Sequence, residues 1–218
     1  MALLSLKGAS AAYNGVRVVR DITLEVAAGE KVSLIGASGA GKSTLLGMLY
    51  NQQPERIALV PQDPALVRSL SVFHNAYIGG LERHPAWYNL LNLAWPLPRE
   101  VRDVRTVLES LGLEDKLWAP AGELSGGQQQ RTAVARALFR RVDTLLADEP
   151  VSAVDPAQAD TVLRLLVESH ETVVLAMHDV SLALRHTHRL IGLRDGRIAM
   201  DRPSAGLDPA DLVAFYEG

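Results

Sequence analysis

A chain of 218 residues, 48% apolar and 22% charged, has the material for one sizeable domain and too little length for two. Its 22 Lys and Arg against 25 Asp and Glu argue against a nucleic-acid partner held by a basic field. The absence of cysteine excludes disulfides and thiolate metal sites and suits a reducing compartment. In chain order, "LLSLKGASAAY" and "VRVVRDITLEV" read as strands with polar interruptions, the pattern of an antiparallel sheet exposed on one side. "AAGE" (27–30) turns into "KVSLIG" (31–36), the first of four nearly unbroken apolar runs. The others are "RIALV" (56–60), "DTLLAD" (143–148) and "TVVLAM" (172–177). Unbroken rather than alternating hydrophobicity predicts strands covered on both faces, as in a parallel sheet between helices. Helices are expected near 42–50, 99–111, 126–141, 157–169 and 179–186. From about 66 to 122 strand signals vanish and Trp87, Trp95 and Trp118 all occur, which predicts a helical subdomain inserted between two core strands. A hairpin around Asp195-Gly196 and a short terminal helix follow. "MALLSLKGAS" lacks a cationic leader before a long apolar core, and no run reaches the roughly 18–20 apolar residues of a membrane span, so a soluble cytoplasmic chain is expected.

Chemistry concentrates in a few stretches. Gly36 to Ser43 matches G-x-x-x-x-G-K-[ST], directly after a buried strand and directly before a helix. Glycines there let backbone N–H groups turn inward around phosphates, at a helix N-terminus whose dipole favours anions. Lys42 is placed to reach β- and γ-phosphates, and the Ser43 hydroxyl to coordinate Mg²⁺. "TLLADEP" (144–150) ends a strand in two adjacent acids. Asp148 suits Mg²⁺ through water and Glu149 suits a base or orienter for attacking water, although adjacent acids at a strand end also make a plain solvated turn. His178 and Gln62 each follow a strand; both are either surface residues or groups that reach the γ-phosphate, with Gln62 also a metal candidate. In "LSGGQQQR" (124–131), Ser125, Gly126 and Gly127 open an amphipathic helix and form a second anion cradle. One active site has no use for two cradles so far apart in the chain. Two copies paired head to tail do, with ATP closed between them.

Taken together, these stretches resemble the ATP-binding subunit of ABC transporters over essentially the whole chain. The resemblance implies a P-loop NTPase core of α/β class, with an antiparallel β-subdomain and an inserted helical subdomain, all within one nucleotide-binding domain spanning 1–218. By it, Tyr13 is the aromatic that stacks on adenine, although a strand-end aromatic can equally be buried. Gly36, Ala37, Ser38, Gly39, Ala40, Gly41, Lys42, Ser43 and Thr44 form the Walker A loop, and Gln62 the Q-loop. "LSGGQQQR" is the signature, "LLADEP" the Walker B with catalytic Glu149, "SAVD" ending in Asp155 the D-loop, and His178 the switch histidine. The cofactors implied are ATP and Mg²⁺. The partners implied are a second copy, integral-membrane permease subunits and, indirectly, an extracytoplasmic substrate-binding protein, which places the chain on the inner face of the cell membrane. "VPQDPALVRSLSVFHNAYIGGL", "HPAWYNLLNLAWPLPREV" and "LADEPVSAVDP" narrow the resemblance to phosphonate-importer ATPases. The alternative is a non-transport ABC ATPase of a soluble complex such as carbon–phosphorus lyase. Exporter, DNA-repair and ribosomal roles are weaker fits.

Two stretches leave more than one reading open. In the insert at about 81–98, Pro85 starts a helix carrying Trp87, Leu90, Leu91 and Ala94 on one face, until Pro96 and Pro98 end it. That stripe either packs the subdomain core or, with Gln62 nearby, lines a groove for a permease helix. In "RTAVARALFRR" (131–141) a solvated helix face is expected rather than a nucleic-acid patch. One departure stands out. Gln62 follows Lys42 by only 20 positions, where the family usually carries a longer segment with an additional hairpin.

Overall fold

The computed structural model describes residues 2–13, 15–212 and 215, which divide into two compact units. The first comprises Met1–Leu59, Asp143–Glu149 and His170–Gly218. It opens with β1 (Ala2–Tyr13) and β2 (Val16–Ala27), an antiparallel pair. Along β2 burial alternates, with Ile22, Leu24 and Val26 turned inward between exposed neighbours, as a half-covered sheet requires.

A six-stranded sheet follows. Its strands are β3 (Lys31–Ile35), β4 (Ile57–Val60), β5 (Thr144–Asp148), β6 (Thr172–Ala176), β7 (Arg189–Arg194) and β8 (Arg197–Pro203), in the spatial order β4-β5-β6-β3-β7-β8. The pairs β3/β6, β5/β6 and β3/β7 are parallel, and β7/β8 is antiparallel. The four unbroken apolar runs are β3 to β6, and β5 and β6 are buried along their whole length. Sequence patterning read β7 only as one arm of a hairpin. It is also a parallel neighbour of β3, a role masked by arginines at both ends and Gly192 within. Helix α1 (Lys42–Tyr50) buries Leu45, Leu46 and Leu49 in a core shared with Leu34, Leu146, Val174 and Ile191. Between α1 and β4 lie only a turn and a short 3-10 helix, Pro54–Arg56. There the Gln52 side-chain amide pairs with both backbone groups of Ser5, accepting from its N–H at 3.3 Å and donating to its carbonyl at 2.9 Å. One side chain thus occupies the hydrogen-bonding edge of β1 that a neighbouring strand would otherwise take.

The second unit comprises Val60–Val142 and Pro150–Ser169. It holds α2 (Val72–Tyr77), α3 (Ala86–Ala94), α4 (Pro98–Ser110), α5 (Gly126–Arg140) and α6 (Pro156–Glu168). The unit is wider than the 66–122 expected. Phe139 of α5 and Tyr77 of α2 are both buried with ring centroids 6.0 Å apart, so α5 shares the helical core. The remaining helix, α7 (Val180–His186), follows β6 in the first unit. Most of the expected terminal helix falls outside the described residues, beyond a 3-10 turn at Pro209–Leu212.

One open reading narrows here and one expectation is corrected. Helix α3 does not bury its apolar stripe: Trp87 and Leu90 are 67% and 66% exposed, and Leu91 and Ala94 are exposed too. The polar residues face inward instead. Tyr88 donates to buried Glu100 at 3.0 Å, Asn89 to the carbonyls of Leu81 and His84, and buried Asn92 accepts from the Leu97 N–H at 3.0 Å. The arginines of α5 are not a solvated face either. Arg131 donates to the Leu111 and Gly112 carbonyls, Arg136 to those of Pro64 and Ala65, and Arg140 pairs with Glu82. The guanidinium groups of Arg131 and Arg136 satisfy loop carbonyls that the helices leave without partners.

Candidate active site

β3 runs buried to Ile35, and the chain then turns at Gly36, whose φ is 147°. A Cβ on Gly36 would lie 2.3 Å from the Leu193 carbonyl oxygen, and one on Gly41 (φ 103°) would lie 2.9 Å from that of Val18. Both positions need glycine for backbone conformation and for close approach. Gly41 is also the N-cap of α1 and provides no side-chain cap, so the first-turn N–H groups keep their capacity for an anion. Lys42 is 6% exposed and donates to the Gly36 carbonyl at 2.7 Å and the Ala37 carbonyl at 3.1 Å. Burial pulls its pKa below the usual lysine range, against the opposing pull of Glu149 and Asp148. An ammonium resting on two neutral carbonyls in low dielectric gains by exchanging them for phosphate oxygens.

The parallel pairing of β5 with β6 sets Asp148 beside Ala176 at the carboxyl ends of the strands. Asp148 accepts a hydrogen bond from Ser43, and its buried Oδ1 has no protein partner. Burial raises its pKa, while Ser43 and Lys42 oppose the shift. A serine hydroxyl beside an orphaned carboxylate oxygen is the hard-oxygen donor set that Mg²⁺ takes when phosphates complete its shell. Among the described residues no cluster of three or more His, Asp or Glu forms a metal cage. Glu149 adopts a left-handed backbone (φ 49°), held by its N–H donating to the Ala176 carbonyl at 3.0 Å. Its Oε1 lies 2.6 Å from His178 Nε2, just beyond β6. Lys42, Ser43, Asp148, Glu149 and His178 are therefore gathered around one loop. The backbone of Tyr13 ends β1 opposite Val16; its side chain lies outside the described residues.

Gln62, Ser125, Gly126, Gly127 and Asp155 belong to the second unit. Ser125 caps α5 in a reciprocal box with Gln128, each side chain accepting from the other residue's N–H. Gly126 and Ser125 are exposed. A Cβ on Gly127 would lie 2.6 Å from the Ala153 carbonyl oxygen, so the signature helix and the loop leading to Asp155 pack backbone to backbone. Asp155 in turn caps α6 by accepting from the Ala157 N–H at 2.8 Å. Gln62 is exposed just past β4, and the two carbonyls that follow its neighbour Asp63 are those held by Arg136. Sequence reasoning missed Arg136 as the residue tying this loop to the signature helix. Its setting in "TAVARALF", among small and apolar residues that α5 buries, was the available signal.

The family model described as ABC transporter matches residues 19–56 and 50–152. The two matched segments meet at the short connection between α1 and β4. Phosphonates import ATP-binding protein PhnC 1 of Pseudomonas aeruginosa is 40% identical over 243 residues, covering 98% of this chain and 90% of that protein. PhnC of Pseudomonas putida is 39% identical, covering 99% and 90%. Among solved structures, the dimeric MJ0796, a bacterial ABC transporter cassette, superposes with a TM-score of 0.82 at 26% identity, covering 94% of this chain and all of that one. Motif geometry, family model and near-full-length relatives agree: the chain belongs to the ABC transporter family, as an ATP-binding cassette.

Proposed function

We propose that this cassette hydrolyses Mg·ATP to drive the import of a phosphonate or related phosphorus compound through a separate membrane permease. The observation that carries this reading is 40% identity along nearly the entire chain to a phosphonate import ATP-binding protein. Two copies pair head to tail, so that the P-loop of one faces Ser125-Gly126-Gly127 of the other. Lys42 releases the Gly36 and Ala37 carbonyls and takes up β- and γ-phosphate oxygens. Ser43, Asp148 and Gln62 would hold Mg²⁺, which would supply positive charge to offset that of the phosphates. Glu149 orients the attacking water and accepts its proton, while His178, 2.6 Å away, fixes the carboxylate and senses the γ-phosphate. Asp155 relays closure across the dimer, and Tyr13 stacks on adenine. Cycles of closing and opening move the helical units and, through them, the permease. Among the described residues no helix is long and apolar enough to cross a membrane, and the channel is assigned to the permease. In this arrangement the chain sits on the inner membrane face, and an extracytoplasmic binding protein selects the substrate.

The test is capture of a tagged Glu149→Gln chain from detergent-solubilised cells with ATP present. Recovery of a multi-spanning permease supports the importer. Recovery of soluble enzymes without any membrane protein overturns it in favour of a cassette serving a soluble complex.

A further inference from the structure

Helix α3 is built inside out. Its polar residues are fixed inward by Tyr88–Glu100, by Asn89 with Tyr77 and two carbonyls, and by buried Asn92. Its exposed large residues are Trp87, Leu90, Leu91 and Leu93, with Trp95 just past the end at 74% exposure. The helix itself carries no charge. Helix α4, next in the chain, exposes Arg99, Arg102 and Arg105 in its first two turns. Among the described residues none of the three forms an ion pair. The acids of α4 offset little of this charge: Glu100 is buried, Asp103 pairs with Arg141, and Glu109 alone is exposed. In a chain of net charge −3, three exposed arginines following a tryptophan–leucine ridge directly in the chain are a local exception.

We infer that this ridge lies on an anionic membrane surface. Leucines and tryptophans would enter the boundary between headgroups and acyl chains, and the arginines of α4 would meet lipid phosphates. Tryptophans at both ends of a short uncharged helix, flanked by arginines, are the composition that the interface selects. The degree of exposure separates this reading from a groove for a protein helix. Residues lining a groove are shielded by its walls, whereas Trp87, Leu90 and Trp95 stand two-thirds exposed or more and suit a broad, deformable partner. The inference rests on the proposed role only in placing the chain beside a membrane, and its test needs no permease.

The experiment is sedimentation of the purified full chain with vesicles of phosphatidylcholine, with and without phosphatidylglycerol. Tryptophan emission is read in the same samples. Binding that requires phosphatidylglycerol, weakens with salt and shifts the emission to the blue is expected. Trp87→Ser/Leu90→Ser and Arg99→Glu/Arg102→Glu should each weaken binding by about tenfold or more, with melting temperature and ATP hydrolysis unchanged. No binding by the parent chain, or equal binding by the variants, overturns the inference. Binding that arises only after a permease is reconstituted also overturns it and makes the ridge a protein-docking surface. Loss of ATP hydrolysis in the parent chain would instead strike the proposed function and leave the vesicle result standing.

Discussion

Gly127→Ala separates the two halves of the nucleotide site. The new Cβ would sit 2.6 Å from the Ala153 carbonyl oxygen, and an approach of at least 3.0 Å is needed, so one backbone must yield by 0.4 Å or more. Overpacking of this kind costs about 1–3 kcal/mol, or a fall in melting temperature from a few degrees to about 10 °C for a domain of this size. Ala153 lies two residues before Asp155, so the displacement passes into the loop that caps α6. Lys42 and Ser43 belong to the other unit, and binding of a fluorescent ATP analogue to the monomer should stay within about twofold of the parent. Steady-state phosphate release should fall at least about tenfold, because turnover needs the signature of a second copy. Gly126→Ala is the steric control: its Cβ would meet nothing nearer than 4.0 Å, and its melting temperature should not change. A Gly127→Ala chain with unchanged melting temperature and phosphate release would refute the packing argument. Loss of nucleotide binding in that variant would refute the division of the site.

Lys42→Ala should weaken ATP binding by about 1.5–3 kcal/mol, the range of a charge-assisted hydrogen bond, read by analogue titration; unchanged binding would remove this loop from the site. Asp148→Asn should leave the ligand-free chain as stable or more stable at neutral pH while suppressing Mg²⁺-dependent hydrolysis, because burial disfavours the native carboxylate. The sign follows from the raised native pKa: the penalty is present at neutral pH, lifts as pH falls through that value, and is gone below the unfolded aspartate pKa of about 3.9. Thermal melts at stepped pH should therefore show the parent converging on the variant on acidification. Arg136→Lys keeps the charge but loses the two-carbonyl fork; it should lower the melting temperature by a few degrees and slow hydrolysis, measured by calorimetry and phosphate release.

Much of this molecule is legible along the chain because its elements declare themselves locally. β5 and β6 are apolar at every position since both faces are covered, and the P-loop glycines mark where backbone must bend or close. What escaped depends on long-range partners. β7 has too few consecutive apolar residues to announce a core strand, yet it pairs with β3 from far along the chain. The α3 stripe has the spacing of a buried face, and only the inward hydrogen bonds of Tyr88, Asn89 and Asn92 reveal that it faces out. The arginines of α5 look like surface charge until the carbonyls of Leu111, Pro64 and Ala65 are brought beneath them. Among the candidate site residues, Lys42, Ser43, Asp148, Glu149 and His178 lie together, because each ends or follows a strand of one sheet.

If ATP is enclosed between the motifs of two copies, slowed hydrolysis should hold the closed pair together. Sedimentation velocity of the Glu149→Gln chain with Mg·ATP should therefore show a dimer with ATP, a monomer without it, and no dimer when Lys42→Ala is added. A monomer at saturating ATP, or a dimer indifferent to nucleotide, would mean that the two copies do not enclose the nucleotide.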